Sequence, residues 1–181
     1  LYAKHHPTFT ADDIYNLSKE LDTVIYFEAL SEVSVRVSHD LFISKEMIPF
    51  DTDAVDRAIN SFLSKDYIRI REIDSFLIFP NVGYEWNEYL LESFLLSYSK
   101  KFALVNNGLS LNNVAGFVVK KSGQINDFID ACAAFLADGR IELKKVDALN
   151  YLADMNVISR RGYKDIDLAL RRAAQIRRRK E

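Results

Sequence analysis

Nine cationic side chains crowd the last twenty-five positions: Arg160, Arg161, Lys164, Arg171, Arg172, Arg177, Arg178, Arg179 and Lys180. Only Asp165, Asp167 and Glu181 oppose them, so this segment carries about +6 and residues 1–156 about −8. A basic end on an acidic body is the pattern of an interaction tail, and polyanions are its usual partner. At 100° per residue, Arg171 and Arg178 fall on nearly one side of a helix, with Arg172 and Arg179 beside them. Those four could follow one phosphate strand while Ile166, Leu170 and Ala173 turn inward. The same distribution also suits a solvated helix with its acids first and its cations last.

The catalytic candidates are weaker. Ile141-Glu142-Leu143-Lys144 contains Glu-x-Lys, which resembles the carboxylate-x-lysine element of restriction-type nucleases. The resemblance implies a Glu and an upstream Asp on a divalent metal, with the Lys steadying developing charge. Asp127 and Asp130 fall in a predicted helix, and Asp138 is too close for the usual hairpin, so we expect no metal nuclease. His5-His6 has no ligand-type partner nearby, and His39 stands alone between Ser38 and Asp40. Cys132 lies on an apolar helix face, which makes an inert thiol. Gly108 and Gly123 sit in no phosphate-binding loop pattern, and Trp86 reads as a packing anchor. The expectation is no catalytic residue, no bound metal and no cofactor.

Composition narrows the remaining classes. With 181 residues, 49% hydrophobic and 28% charged, the chain is too apolar for disorder and long enough for a substantial core. Its single Cys excludes an intrachain disulfide framework and fits a reducing compartment, so we expect a cytoplasmic protein. No apolar run approaches the ~18 residues of a membrane span. The chain opens on Leu1 without a signal-peptide pattern, and we read it as a piece of a longer protein or a processed form.

The elements that must position these residues follow from periodicity and breakers. Thr10, ahead of Asp12 and Asp13, predicts a helix start, followed by Ile14, Leu17 and Leu21 at helical spacing. Thr23 is a candidate cap for a second helix through Phe27 and Leu30. Val33–Val37 alternates as a strand, and Leu41-Phe42-Ile43 is another. Ser44–Met47 is a brief helix, and Asp51 or Thr52 starts a firmer one with Val55, Ile59, Phe62 and Leu63 on its apolar face. Tyr67–Ile70 and Phe76–Phe79 read as two strands joined by a turn. Asn81–Gly83 is a candidate boundary. Helices are predicted over 87–102, over 125–137, around Val146–Leu152 and over the basic end. Val114–Lys121 is a weak strand or a buried extended segment.

From Leu41 to Phe79 the order of strand, short helix, longer helix, strand, turn and strand resembles the winged helix-turn-helix family. The resemblance implies a second helix whose groove-facing positions are Thr52, Asp53, Asp56, Arg57 and Asn60. Asp51, Asp53 and Asp56 put negative charge where phosphates would approach, so that face departs from a good DNA reader. Residues 144–180 form a second helix pair, with Arg160 and Arg161 in its turn, and are the better nucleic-acid surface.

The expectation is therefore a mainly α fold with a small antiparallel sheet. A winged-helix unit over 1–80 is followed by a helical unit over 84–181 with a basic C-terminal helix. The expected function is a non-catalytic nucleic-acid-binding module, DNA before RNA, within a larger protein and without a membrane partner. Its expected contacts are Arg160, Arg161, Lys164, Arg171, Arg172, Arg178 and Arg179, with Arg57 and Asn60. The alternative is a protein-interaction module in which the winged helix and the aromatic segment 84–98 dock another subunit or domain.

Overall fold

The computed structural model describes residues 2–158 and 162–180. The chain divides into two compact units that interleave in sequence. The first comprises Leu1–Ser61, Ile73–Lys100 and Leu109–Val114; the second comprises Phe62–Glu72, Lys101–Gly108 and Ala115–Glu181. The fold is mixed α/β, with two three-stranded antiparallel sheets rather than one small one. Asn81–Gly83 lies within the first unit, and Phe62–Glu72 belongs to the second.

The first unit opens with α1 (Tyr2–His5), β1 (Thr8–Thr10), α2 (Ala11–Glu20) and α3 (Phe27–Val33). It continues with β2 (Ser34–Arg36), β3 (Leu41–Ser44), a 3-10 turn at Lys45–Met47, α4 (Thr52–Asn60) and α5 (Glu88–Ser97). The starts of α2, α4 and α5 are set by side chains that satisfy orphan backbone N–H groups. Thr10 and Asp13 form a reciprocal capping box on α2, and Asp51 accepts from the Ala54 N–H. Asn87 accepts from Tyr89 and Leu90 at the head of α5. Helix α3 starts after Tyr26 without a side-chain cap, three residues past the expected cap Thr23. In the sheet, β3 is central, with Phe9 and Arg36 both opposite Phe42. The Phe9 and Phe42 rings stack with centroids 5.5 Å apart.

Two expectations are corrected here. Helix α5 stops at Ser97 instead of reaching Phe102. The Ser99 hydroxyl and the Lys100 N–H turn to the buried Asp56 carboxylate at 2.6 and 3.0 Å, and the backbone leaves the helix. Phe76–Phe79 is a turn, closed by the Phe79 N–H donating to the Phe76 carbonyl, and not the second strand of a wing. A strand would place Phe76 and Phe79 on opposite faces. The turn brings both rings onto Trp86, whose indole N–H donates to the Pro80 carbonyl at 2.7 Å. Leu77 and Ile78 are left outside, 94% and 60% exposed.

The second unit holds β4 (Tyr67–Arg69), β5 (Phe102–Val105), β6 (Phe117–Lys120), α6 (Phe128–Asp138), α7 (Lys145–Asp154) and α8 (Ile166–Lys180). Strand β4 pairs with the central β6, Tyr67 opposite Val119 and Arg69 opposite Phe117, so the expected hairpin with 76–79 does not form. The β6 side chains Phe117, Val118 and Val119 are buried, so the extended segment expected over Val114–Lys121 is the buried central strand of a sheet. Gly116 enters it at φ +117°, where a Cβ would strike the Val105 carbonyl. Helices α6 and α8 meet through Ala131, Cys132, Ala169 and Ala173, all buried, whose small side chains let the axes approach.

Candidate nucleic-acid interface

The division of charge between the units is sharper than the sequence order shows. The first contains fifteen Asp and Glu against six Lys and Arg; the second contains eleven against eighteen. The candidate cations on α8 belong to the basic unit.

Helix α8 sorts its own cations. Its inward stripe is Ile166, Ala169 and Ala173. Arg177 stands four residues past Ala173, on the flank of that stripe, and its guanidinium is consumed. Nη2 donates to the Leu136, Gly139 and Ile141 carbonyls at 2.8, 2.6 and 3.0 Å, and Nε donates to Ala137 at 3.2 Å. Arg172 reaches Asp130 at 2.5 Å and Asp127 at 3.8 Å. Lys180 bonds the Asp138 carboxylate at 2.6 Å. Arg171, Arg178 and Arg179 are exposed and have no ion-pair partner among the described residues. Of the four arginines expected to track one strand, Arg172 is thus engaged with acids and three remain outward.

Lys164 is exposed just before α8. Arg160 and Arg161 lie outside the described residues. Arg57 and Asn60 are exposed on α4, but in the acidic unit and beside the exposed Asp53. Asp56, expected to face a groove, is instead fully buried as the acceptor that ends α5. The sequence signal for both Asp56 and Arg177 was their helical spacing from apolar neighbours, Ile59 and Ala173.

Asp138, weighed in the sequence only as a metal ligand, is instead the acceptor of a hydrogen-bond cluster. Desolvation alone would raise its pKa, but hydrogen bonds from Lys180, Lys65 and Tyr67 outweigh that and bring it to about 2. The same acceptor and burial push the Tyr67 hydroxyl up, with burial the larger cause. A depressed carboxylate contributes stability above its ordinary pKa of 3.8 and loses it as pH falls through about 2. Asp138→Asn is therefore expected to cost about 1 kcal/mol at pH 7, after allowance for solvent screening. Thermal melts of both proteins from pH 7 to pH 2 should converge at the acid end.

Glu142 and Lys144 bond each other at 2.5 Å, and both are exposed. Among the described residues, no group of three or more His, Cys, Asp or Glu could hold a metal ion. Cys132 is fully buried, and burial pushes its thiol up, with Asp127 adding to the effect. Among the described residues, no helix is long and apolar enough to cross a membrane. The chain matches no family model, no curated protein and no solved structure.

Proposed function

We propose that the chain is a non-catalytic module that binds the phosphate backbone of nucleic acid, DNA first, through the outward face of α8. The observation that carries this reading is the outward set Arg171, Arg178 and Arg179, unpaired among the described residues on a helix whose other cations are engaged. With a rise of about 1.5 Å per residue, Arg171 and Arg178 stand about 10.5 Å apart along the axis. That is about three steps of a duplex at ~3.4 Å each. Lys164 is exposed ahead of the N-terminal end of α8, outside this set of three. The reading does not lean on the winged-helix resemblance, whose second wing strand is a turn.

Three phosphate contacts predict that log affinity falls against log salt with a slope of roughly −2.7 on duplex DNA. Between 50 and 200 mM salt, that slope is a loss of roughly 40-fold. The measurement is binding of a labelled duplex of arbitrary sequence across a salt series. The Arg171→Gln, Arg178→Gln, Arg179→Gln triple variant should bind more weakly and with a nearly flat slope, whatever the sequence, because phosphate contacts carry no base information. An unchanged slope in the triple variant removes α8 from the interface. No binding by either protein at low salt overturns the proposal.

A further inference from the structure

The acidic unit carries a second feature that phosphate binding leaves unused. Helix α2 is amphipathic, with Ile14 and Leu17 on one side, yet none of its residues is buried. Opposite stand Leu30 and Val33 of α3, and Phe9 of β1 joins them; together with Ile25 they line a cleft of about 450 Å³. Val33 is 49% exposed in that lining, and Ile14, Leu17 and Ile25 are half-buried. A contiguous apolar cleft left partly open to water marks a partner site. We propose that this cleft receives an amphipathic helix of a partner protein whose apolar stripe is flanked by basic residues.

The two walls favour a helix. Ile14 and Leu17 are three residues apart on α2, and Leu30 and Val33 are three apart on α3. Apolar positions at that spacing receive a third helix that presents anchors at i, i+3 or i+4, and i+7. The capping box of Thr10 and Asp13 fixes where α2 begins, so its wall is set before anything binds.

Charge selects the partner. The unit has nine more acids than bases, and the exposed Glu32 and Glu46 sit in the lining of the cleft. The cation that also lines it, Lys45, is turned to the Ser97 hydroxyl at 2.9 Å and lies 5.8 Å from the Tyr98 ring centre. Burial lowers its pKa, partly offset by Glu32. Basic flanks on the incoming helix thus meet carboxylates at the edge while the stripe enters the apolar floor. A second copy of this chain is a poor occupant. Its strongly basic helix, α8, already buries its apolar stripe of Ile166, Ala169 and Ala173 in its own core.

The test uses the full chain and three fluorescent peptides of 15 residues. One has a Leu stripe at i, i+3, i+4 and i+7 with Lys on its flanks; one is a scramble of that composition; one carries Glu for Lys. Anisotropy should show the Lys-flanked helix binding at least tenfold tighter than either other peptide. Leu17→Glu should abolish that binding. The surface double variant Glu32→Lys, Glu46→Lys, which leaves the apolar floor intact, should weaken it about tenfold and narrow the gap to the Glu-flanked peptide. Equal binding of the scramble, or indifference to both variants, overturns the proposal. So does a self-association seen by sedimentation that Leu17→Glu removes while the peptides fail to bind, because the cleft is then a contact between copies.

Discussion

Glu92→Gln is expected to stabilise the first unit at pH 8 by up to about 3 kcal/mol and to leave it almost unchanged near pH 4.5. Glu92 sits on α5 with 1% of its side chain exposed, 3.8 Å from the Arg36 Nη1. Its Oε1 has no hydrogen-bond partner. Burial raises its pKa to about 7 from an ordinary 4.5, with the attraction of Arg36 opposing and Glu88 adding a little. Burial also pulls the Arg36 guanidinium down, so desolvation outweighs mutual attraction on both partners. The sign follows from proton counting. Between about 4.5 and 7 the folded chain holds a proton that the unfolded chain has released, so stability is full below 4.5 and falls as pH rises through 7. Gln has no proton to lose, which flattens that limb.

Arg36 does not depend on the carboxylate. Its guanidinium donates to the carbonyls of His39, Ser110 and Leu111 and lies 4.1 Å from the Tyr89 ring centre. The measurement is urea unfolding at pH 4.5, 6.5 and 8, followed by the fluorescence of Trp86. That residue is the chain's one tryptophan and belongs to the first unit, so it reports that unit. A variant less stable than the parent at pH 8 would show that the ion pair contributes more than its desolvation costs.

How much of this was legible in the sequence depended on distance along the chain. Thr10, Asp51 and the helix that follows each could be read directly, because a cap and its N–H partner lie within one turn. The apolar face of Ile14 and Leu17 was equally plain. That it would be only half covered was not, because periodicity states which side is apolar and not what lies opposite. Strand pairing was the main loss. Tyr67–Arg69 was recognised as extended, but a hairpin with the nearby Phe76–Phe79 was preferred over pairing with Phe117–Lys120 far downstream. The apolar run at 76–79 fits a strand and an aromatic turn equally well, and only the position of Trp86 decides between them. Glu92 hid inside a helix rich in Leu and Phe, where one acid reads as a solvent-facing residue. Its burial follows from α5 being enclosed on both sides, with Leu91 and Ser93 buried beside it.

The cations of α8 show the same limit at the scale of adjacent residues, and they give the clearest contrast for mutation. Arg177→Met should destabilise the second unit by about 3 kcal/mol, while Arg178→Met should change its stability by less than about 0.5 kcal/mol. Arg177 supplies charge-assisted hydrogen bonds to the Leu136 and Ala137 carbonyls at the end of α6 and to Gly139 and Ile141 just beyond. The last carbonyls of a helix have no partner within it, and a cation there also meets the negative end of the helix dipole. Methionine keeps much of the stem and removes all of those donors. The bonds are not additive, since carbonyls near the surface can recover water, so the expected loss is far below their sum. Arg178 points outward and makes no such bond among the described residues.

Function should move the other way. Arg178→Met should take one phosphate contact from duplex binding and change the salt slope from roughly −2.7 to roughly −1.8. Arg177→Met should leave the slope near its parent value at temperatures where the unit is folded. Amide hydrogen exchange at Phe135–Gly139 reads the first effect, because loss of the bonds at the end of α6 lowers the opening free energy there. The labelled-duplex salt series reads the second. If Arg177→Met flattened the slope while exchange stayed protected, the sorting of α8 into a structural edge and a free face would be reversed.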